Sequence, residues 1–134
     1  MKKGYIVVLI LIVISLLYWV YAGKSIEEVS KVNLEDISRI VIYDGRGGRF
    51  APLTIDDELN IKEFINLIDR YRVKKIEVVN PSIGWSHAAV FYIDDKRVLD
   101  VTFVNPIIIN REYYKVIRGD LSTNTIDDFL SPLR

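Results

Sequence analysis

From Tyr5 to Ala22 the chain runs for 18 residues without a charge, and only Ser15 and tyrosines interrupt the apolar pattern. At ~1.5 Å rise per residue this is a helix of roughly 27 Å, close to the ~30 Å hydrocarbon thickness of a bilayer. Tyr5 stands at one end, with Tyr18, Trp19 and Tyr21 at the other. Such rings favour the membrane interface, where an apolar body and a polar tip are both satisfied. Lys2 and Lys3 make the preceding tail basic, and short basic tails stay cytoplasmic. The pattern therefore predicts a tail and anchor over 1–23 whose partner is the lipid bilayer along residues 5–22. It places the rest of the chain outside the cytoplasm. The competing reading is a signal peptide cleaved after Val20 and Ala22, with the domain then secreted; the apolar run is longer than the ~7–15 residues of a typical signal core.

Beyond the anchor the period changes. Residues 24–35, with Glu27, Glu28, Lys31 and Glu35, read as a polar stalk or short helix. Residues 38–44 alternate, putting Ile40 and Ile42 on one face, which is a strand pattern. Asp44-Gly45-Arg46-Gly47-Gly48 supplies turn chemistry, and Arg49 to Ile55 can return as a second strand with Pro52 marking an edge. Ile61, Phe64, Ile65, Ile68 and Tyr71 then repeat at helical spacing, opposite Lys62, Glu63, Asn66, Asp69 and Arg70; Asp56 or Asp57 can cap this amphipathic helix.

A β-rich run follows. A strand is predicted over 73–80 with Ile76 and Val78 inward, then a loop through Trp85. Further strands are predicted over 87–93, with Ala89 and Phe91 inward, and over 97–104, with Leu99, Val101 and Phe103 inward. Ile107 to Ile109 and Tyr113 to Ile117 add β-structure after the Asn105-Pro106 break. Asp127 to Leu130 closes the chain in a short helix capped by Asn124 or Thr125. The order β-β-α-β-β-β-β-α predicts an α+β domain over 36–134, a mostly antiparallel sheet with helices on one face.

Composition removes whole classes of function. The 18 basic and 18 acidic residues cancel, which argues against nucleic-acid binding. Cysteine is absent, so disulfides, thiolate metal sites and cysteine nucleophiles are excluded, and a single histidine disfavours an all-histidine metal site. Without Lys2 and Lys3, 16 basic groups face 18 acidic ones, a net −2 that gives no reason to expect tight docking on anionic lipid.

Five residues stand out as binding candidates: Arg46, Arg49, Trp85, His87 and Tyr114. His87 titrates nearest neutrality, and Ser82 and Ser86 are close in sequence, as a hydroxyl nucleophile would need to be. No nucleophile-elbow motif surrounds a serine, and His87 shares its strand phase with Ala89 and Phe91, so a core position is the plainer expectation. Arg46 and Arg49 flank a glycine turn able to hold an anion, though the ending of a phosphate loop is lacking. The acidic pairs Asp94-Asp95 and Asp127-Asp128, with Glu112 and Asp120, lack the spacing of a calcium loop and read as turns and caps. Trp85, beside Gly84 in a loop, either fills the core or anchors a partner; core filling is the plainer expectation. The adjacent Tyr113-Tyr114 pair must send its rings to opposite faces of a strand.

A basic tail and hydrophobic anchor, then Asp36-Ile37-Ser38-Arg39-Ile40 with Tyr43-Asp44-Gly45, the Phe64-Ile65-Asn66-Leu67-Ile68 helix and the Gly84-Trp85 loop, make a recognisable series. Over roughly residues 34–131 it resembles the small exported or lipoprotein-borne domains of unknown function of low-GC Gram-positive bacteria. The lipobox cysteine of the lipoprotein members is absent, so the resemblance implies no lipid modification, and it brings no catalytic residues. The sequence thus predicts a membrane-tethered module that binds a protein or cell-envelope ligand, with no cofactor, metal site or catalytic residue. The alternative is a small extracytoplasmic hydrolase using His87.

Overall fold

The computed structural model describes residues 2–48, 50–77, 84–119 and 122–134. Helix α1 (Lys2–Tyr21) is apolar all round, and none of its residues is buried. It is long and apolar enough to cross a membrane. Below it lies an α+β domain: α2 (Ile26–Ser30), β1 (Arg39–Asp44), β2 (Leu53–Ile55), α3 (Glu58–Asp69), β3 (Arg72–Lys75), β4 (His87–Ile93), β5 (Lys96–Phe103), β6 (Ile107–Ile109), β7 (Glu112–Arg118) and α4 (Thr123–Leu130).

The strands form one sheet in the order β2-β1-β4-β5-β6-β7-β3, antiparallel at every pairing. The long excursion is α3, which leaves the β2 edge and delivers the chain to the opposite edge at β3. Its stripe makes that crossing favourable: Ile61, Phe64 and Ile68 are buried while the polar face stays in water. Phe64 lies among Phe91, Phe103 and Phe129, with ring centroids 5.3–6.3 Å apart. Asp57 caps α3 by accepting from the Asn60 amide at 3.0 Å. Inward residues of β1, β4, β5 and β6 join α3 and α4 in one core, so the helices cover one face, as the alternation predicts.

Four local expectations are corrected. Of the two readings of 24–35, the short helix is the one present, as α2, and the segment is not a free stalk. Ile26 and Leu34 are buried in the core, Ser25 and Glu28 form a capping box on α2, and Lys24 pairs with Val73 across the β3 edge. Strand β3 ends at Lys75, and its inward residue is Val73; Ile76 is half-buried beyond the strand, and Val78 lies outside the described residues. The phase follows from β7, because Val73 faces Val116 across a register shift. Residues 107–118 are two strands, turned by Asn110 and Arg111 at φ 48° and 68°, the positive pair that suits the twist of a two-residue hairpin. Helix α4 begins at Thr123, and its cap is Ser122, whose hydroxyl accepts from the Asn124 amide; neither Asn124 nor Thr125 is the cap.

Candidate functional site

The last residue of β1 and the first of β4 are direct partners across the sheet, which sets Asp44 beside His87. The turn after Asp44 folds back on it. The Arg46 amide donates to Asp44 Oδ1 at 2.9 Å, and Arg46 Nε donates to the same oxygen at 3.0 Å. From α4, Asp127 meets the other side of the guanidinium as a fork: Nη1 to Oδ2 at 2.8 Å and Nη2 to Oδ1 at 2.9 Å. One arginine thus joins two carboxylates, the farther of them 81 residues along the chain from it. Such paired planar contacts suit guanidinium geometry. Arg134 adds a weaker contact to Asp44 at 3.9 Å.

His87 is fully buried against this network. Its Nε2 lies 3.1 Å from Asp127 Oδ1, and its Nδ1 lies 3.2 Å from Ser86 Oγ. The carboxylate only accepts, so Nε2 carries the proton and Nδ1 accepts from the serine hydroxyl; the tautomer follows from the network. Arg46 Nη2 stands 3.4 Å from Nε2, donor facing donor. Burial pushes the imidazole below its usual value and, with the repulsion of Arg46 added, outweighs the upward pull of Asp127 and Asp44. Hydrogen bonds from Arg46 hold Asp44 far below the carboxylate range and Asp127 below its ordinary value; Arg46 rises in return. At neutral pH, Asp44 and Asp127 are balanced by Arg46 and Arg134 around an uncharged histidine.

This geometry limits the chemistry. The guanidinium of Arg46 is spent on two carboxylates, so it is not free for the anion that the glycine turn could have held, and the plain turn is the reading that fits. Arg49 lies outside the described residues, as do Ser82 and Asp120. Ligand atoms of Asp44, His87 and Asp127 lie within 4.8 Å of one another, a spacing that suits a metal. The Arg46 guanidinium already supplies the positive charge there, so the donor set fits arginine rather than a cation. Asp94 sits in the β4–β5 turn, and Glu112 is held by Lys75 and by the Tyr114 hydroxyl.

Trp85 does not fill the core. It is 40% exposed, and its ring lies on the backbone of Gly45. A Cβ at Gly45 would stand 2.5 Å from Trp85, so only glycine permits this approach. Trp85, Ser86, Arg46, Phe103, Asn105 and Thr123 line an open pocket of about 380 Å³. Tyr114 is elsewhere: buried, three strands away, its hydroxyl donating to Glu112 at 3.0 Å. The sequence candidates Arg46, Trp85 and His87 therefore converge, and Tyr114 does not join them. Asp44 and Asp127 were the partners that sequence reasoning missed. The Asp-x-Arg spacing at the turn was a local signal for one of them; nothing local marks the other.

No protein-family model, no curated protein and no solved structure matches this chain.

Proposed function

We propose that the protein is a membrane-tethered extracytoplasmic binding module that presents the Trp85 pocket to a protein or cell-envelope partner. In this reading α1 spans the bilayer, Lys2 and Lys3 stay inside, and the domain from Lys24 onward faces out. One observation carries it: α1 buries nothing, while the domain closes its core without it. A helix apolar on every side needs an apolar surround, and lipid supplies one. Trp85 supports the binding half of the reading, since a half-exposed tryptophan at a pocket rim is the kind of residue that anchors partners.

The test is made in cells expressing the full chain. It should resist extraction from membranes by alkaline wash, and external protease should cut from Lys24 onward. Trp85→Ala should leave folding intact and weaken retention of co-purifying envelope components by ~2 kcal/mol or more if the residue is a hot spot. A soluble mature form beginning near Gly23 would show the anchor to be a cleaved signal peptide. Envelope retention unchanged in Trp85→Ala would remove the pocket from the reading.

One observation favours a second reading. Asp127, His87 and Ser86 form a continuous hydrogen-bond chain of the order used by serine hydrolases. Against it, Arg46 neutralises the carboxylate that should stabilise an imidazolium, and the ring is sealed from solvent. Ester or peptide turnover lost in Ser86→Ala would establish the hydrolase.

A further inference from the structure

Antiparallel pairing at the β3–β7 edge sets Lys74 opposite Lys115 and Arg72 opposite Arg118. Like charges directly across a sheet repel, and proteins ordinarily place carboxylates among them. Here none comes: among the described residues no carboxylate lies within ion-pair distance of Lys24, Lys74, Lys115 or Arg118. The site of this excess is specific. Lys24, the first charged residue after α1, pairs with Val73 between Arg72 and Lys74, its amide donating to the Val73 carbonyl at 2.9 Å. Trp19 and Val20, from the last turn of α1, line the same recess of about 440 Å³ as Lys24, Lys74 and Lys75. Ile117, on β7 between Val116 and Arg118, is 42% exposed and packs on Gly23.

We propose that this collar is a docking surface for anionic phospholipid headgroups: Lys24, Arg72, Lys74, Lys115 and Arg118 take their phosphates, while Ile117 enters the interface. The proposal rests on the reading of α1 as a membrane span. Four features converge on lipid rather than a soluble anion. The cations lie at the exit of an apolar helix; among the described residues no carboxylate forms an ion pair with them; an exposed aliphatic side chain sits among them; and Trp19, from the last turn of the helix, lines the same recess. Basic residues next to a span gain attraction to an anionic surface over about a Debye length. The net charge of −2 for the region after the anchor conceals this, because most of its acidic groups lie elsewhere; Glu28 and Glu112, which also line the recess, are engaged by the α2 capping box and by Lys75. Glu27, Glu35, Asp56, Glu58 and Asp69 line a separate groove beside α3.

The test is amine acetylation, read by mass spectrometry, on the full chain reconstituted with its domain outward. Vesicles of phosphatidylcholine are compared with vesicles containing phosphatidylglycerol. Lys74 and Lys115 should be modified about five-fold more slowly on the anionic vesicles, with the difference abolished by high salt. Lys62 on α3 and Lys96 at the β4–β5 turn should keep their rates. Equal rates at Lys74 and Lys115 on both vesicles, or equal slowing at all four lysines, would overturn the collar. So would the same protection on phosphatidylcholine with added inorganic phosphate, which would assign the surface to a free anion. Failure of the chain to float with phosphatidylcholine vesicles at all would instead overturn the membrane span.

Discussion

The two ends of the sheet handle charge in opposite ways. Where β1 meets β4, Asp44, Arg46, Asp127 and Arg134 cancel around a neutral His87, and Asp44, Arg46, Asp127 and His87 hydrogen-bond one another. Where β3 meets β7, lysine faces lysine and arginine faces arginine, Glu112 is taken by Lys75, and among the described residues no carboxylate pairs with Lys74, Lys115 or Arg118. The first arrangement is self-contained and has nothing left for a ligand except the Trp85 rim outside it. The second has no counter-charge among the described residues, and the proposed lipid headgroups would supply it. Unpaired charge, rather than the mere presence of charged residues, is what points the proposed lipid contact to this edge.

The sharpest way to break this contrast is to remove the keystone of the closed end. Arg46→Met leaves Asp44, whose side chain is 1% exposed, without its partner. Stripping one member of a buried pair costs ~3–5 kcal/mol, and the partial exposure of Arg46 places the expected loss near ~3 kcal/mol. Chemical denaturation of the full chain in detergent measures it. A loss under ~1 kcal/mol would mean that the network contributes little to holding α4 against the sheet.

A pH titration separates the members of that network. His87 has its pKa lowered by folding, so the unfolded chain takes up the proton first. Stability is full above the ordinary imidazole value of about 6.5 and falls as the pH drops below it toward the folded value. Asp44 and Asp127 are also lowered, so a further loss begins below the ordinary carboxylate value of 3.8. Both changes share one sign. Thermal melts across this range should show a decline in Tm starting near neutrality, and His87→Gln should flatten its first part while leaving the acid part in place. An unaltered profile in the variant would assign the early decline to another group.

The smallest effect belongs to the open end. Lys74→Gln relieves a like-charge pair, and because both amines are solvated the gain should be under ~0.5 kcal/mol in detergent. A measurable loss instead would show Lys74 to be a member of a structural network like the one around Arg46.

Much of the fold was legible because burial imposes a period. The α3 stripe and the phases of β1, β4 and β5 each repeat over enough residues for the periodicity to stand out, and the phase of β4 already placed His87 inward. The segment 24–35 was misjudged because Ile26 and Leu34 are too few and too widely spaced among charges to declare a buried face. At the site, long-range partners were hidden. Asp127 reaches His87 from 40 residues away and Arg46 from 81, and no local pattern encodes which helix covers which strand end. Trp85 looked like a core residue because its type is usually buried; its rest on Gly45 depends on a backbone approach that only the folded chain defines. The cationic edge was invisible for the same reason, since Lys74 and Lys115 become neighbours only once the β3–β7 register is set.

Between Tyr21, the end of α1, and Lys24, already hydrogen-bonded into the sheet edge, stand Ala22 and Gly23 alone. Three peptide steps extend at most about 10 Å. The connection is therefore a short bracket rather than a leash. If α1 spans a bilayer as proposed, the domain cannot sweep a large volume or reach outward, and its height above the hydrocarbon is set by that bracket. On that reading a partner would have to come to the bilayer surface, because Gly23 is itself packed against Val73 and Ile117 at the sheet edge. Lengthening this connection would be a direct way to trade orientation for reach.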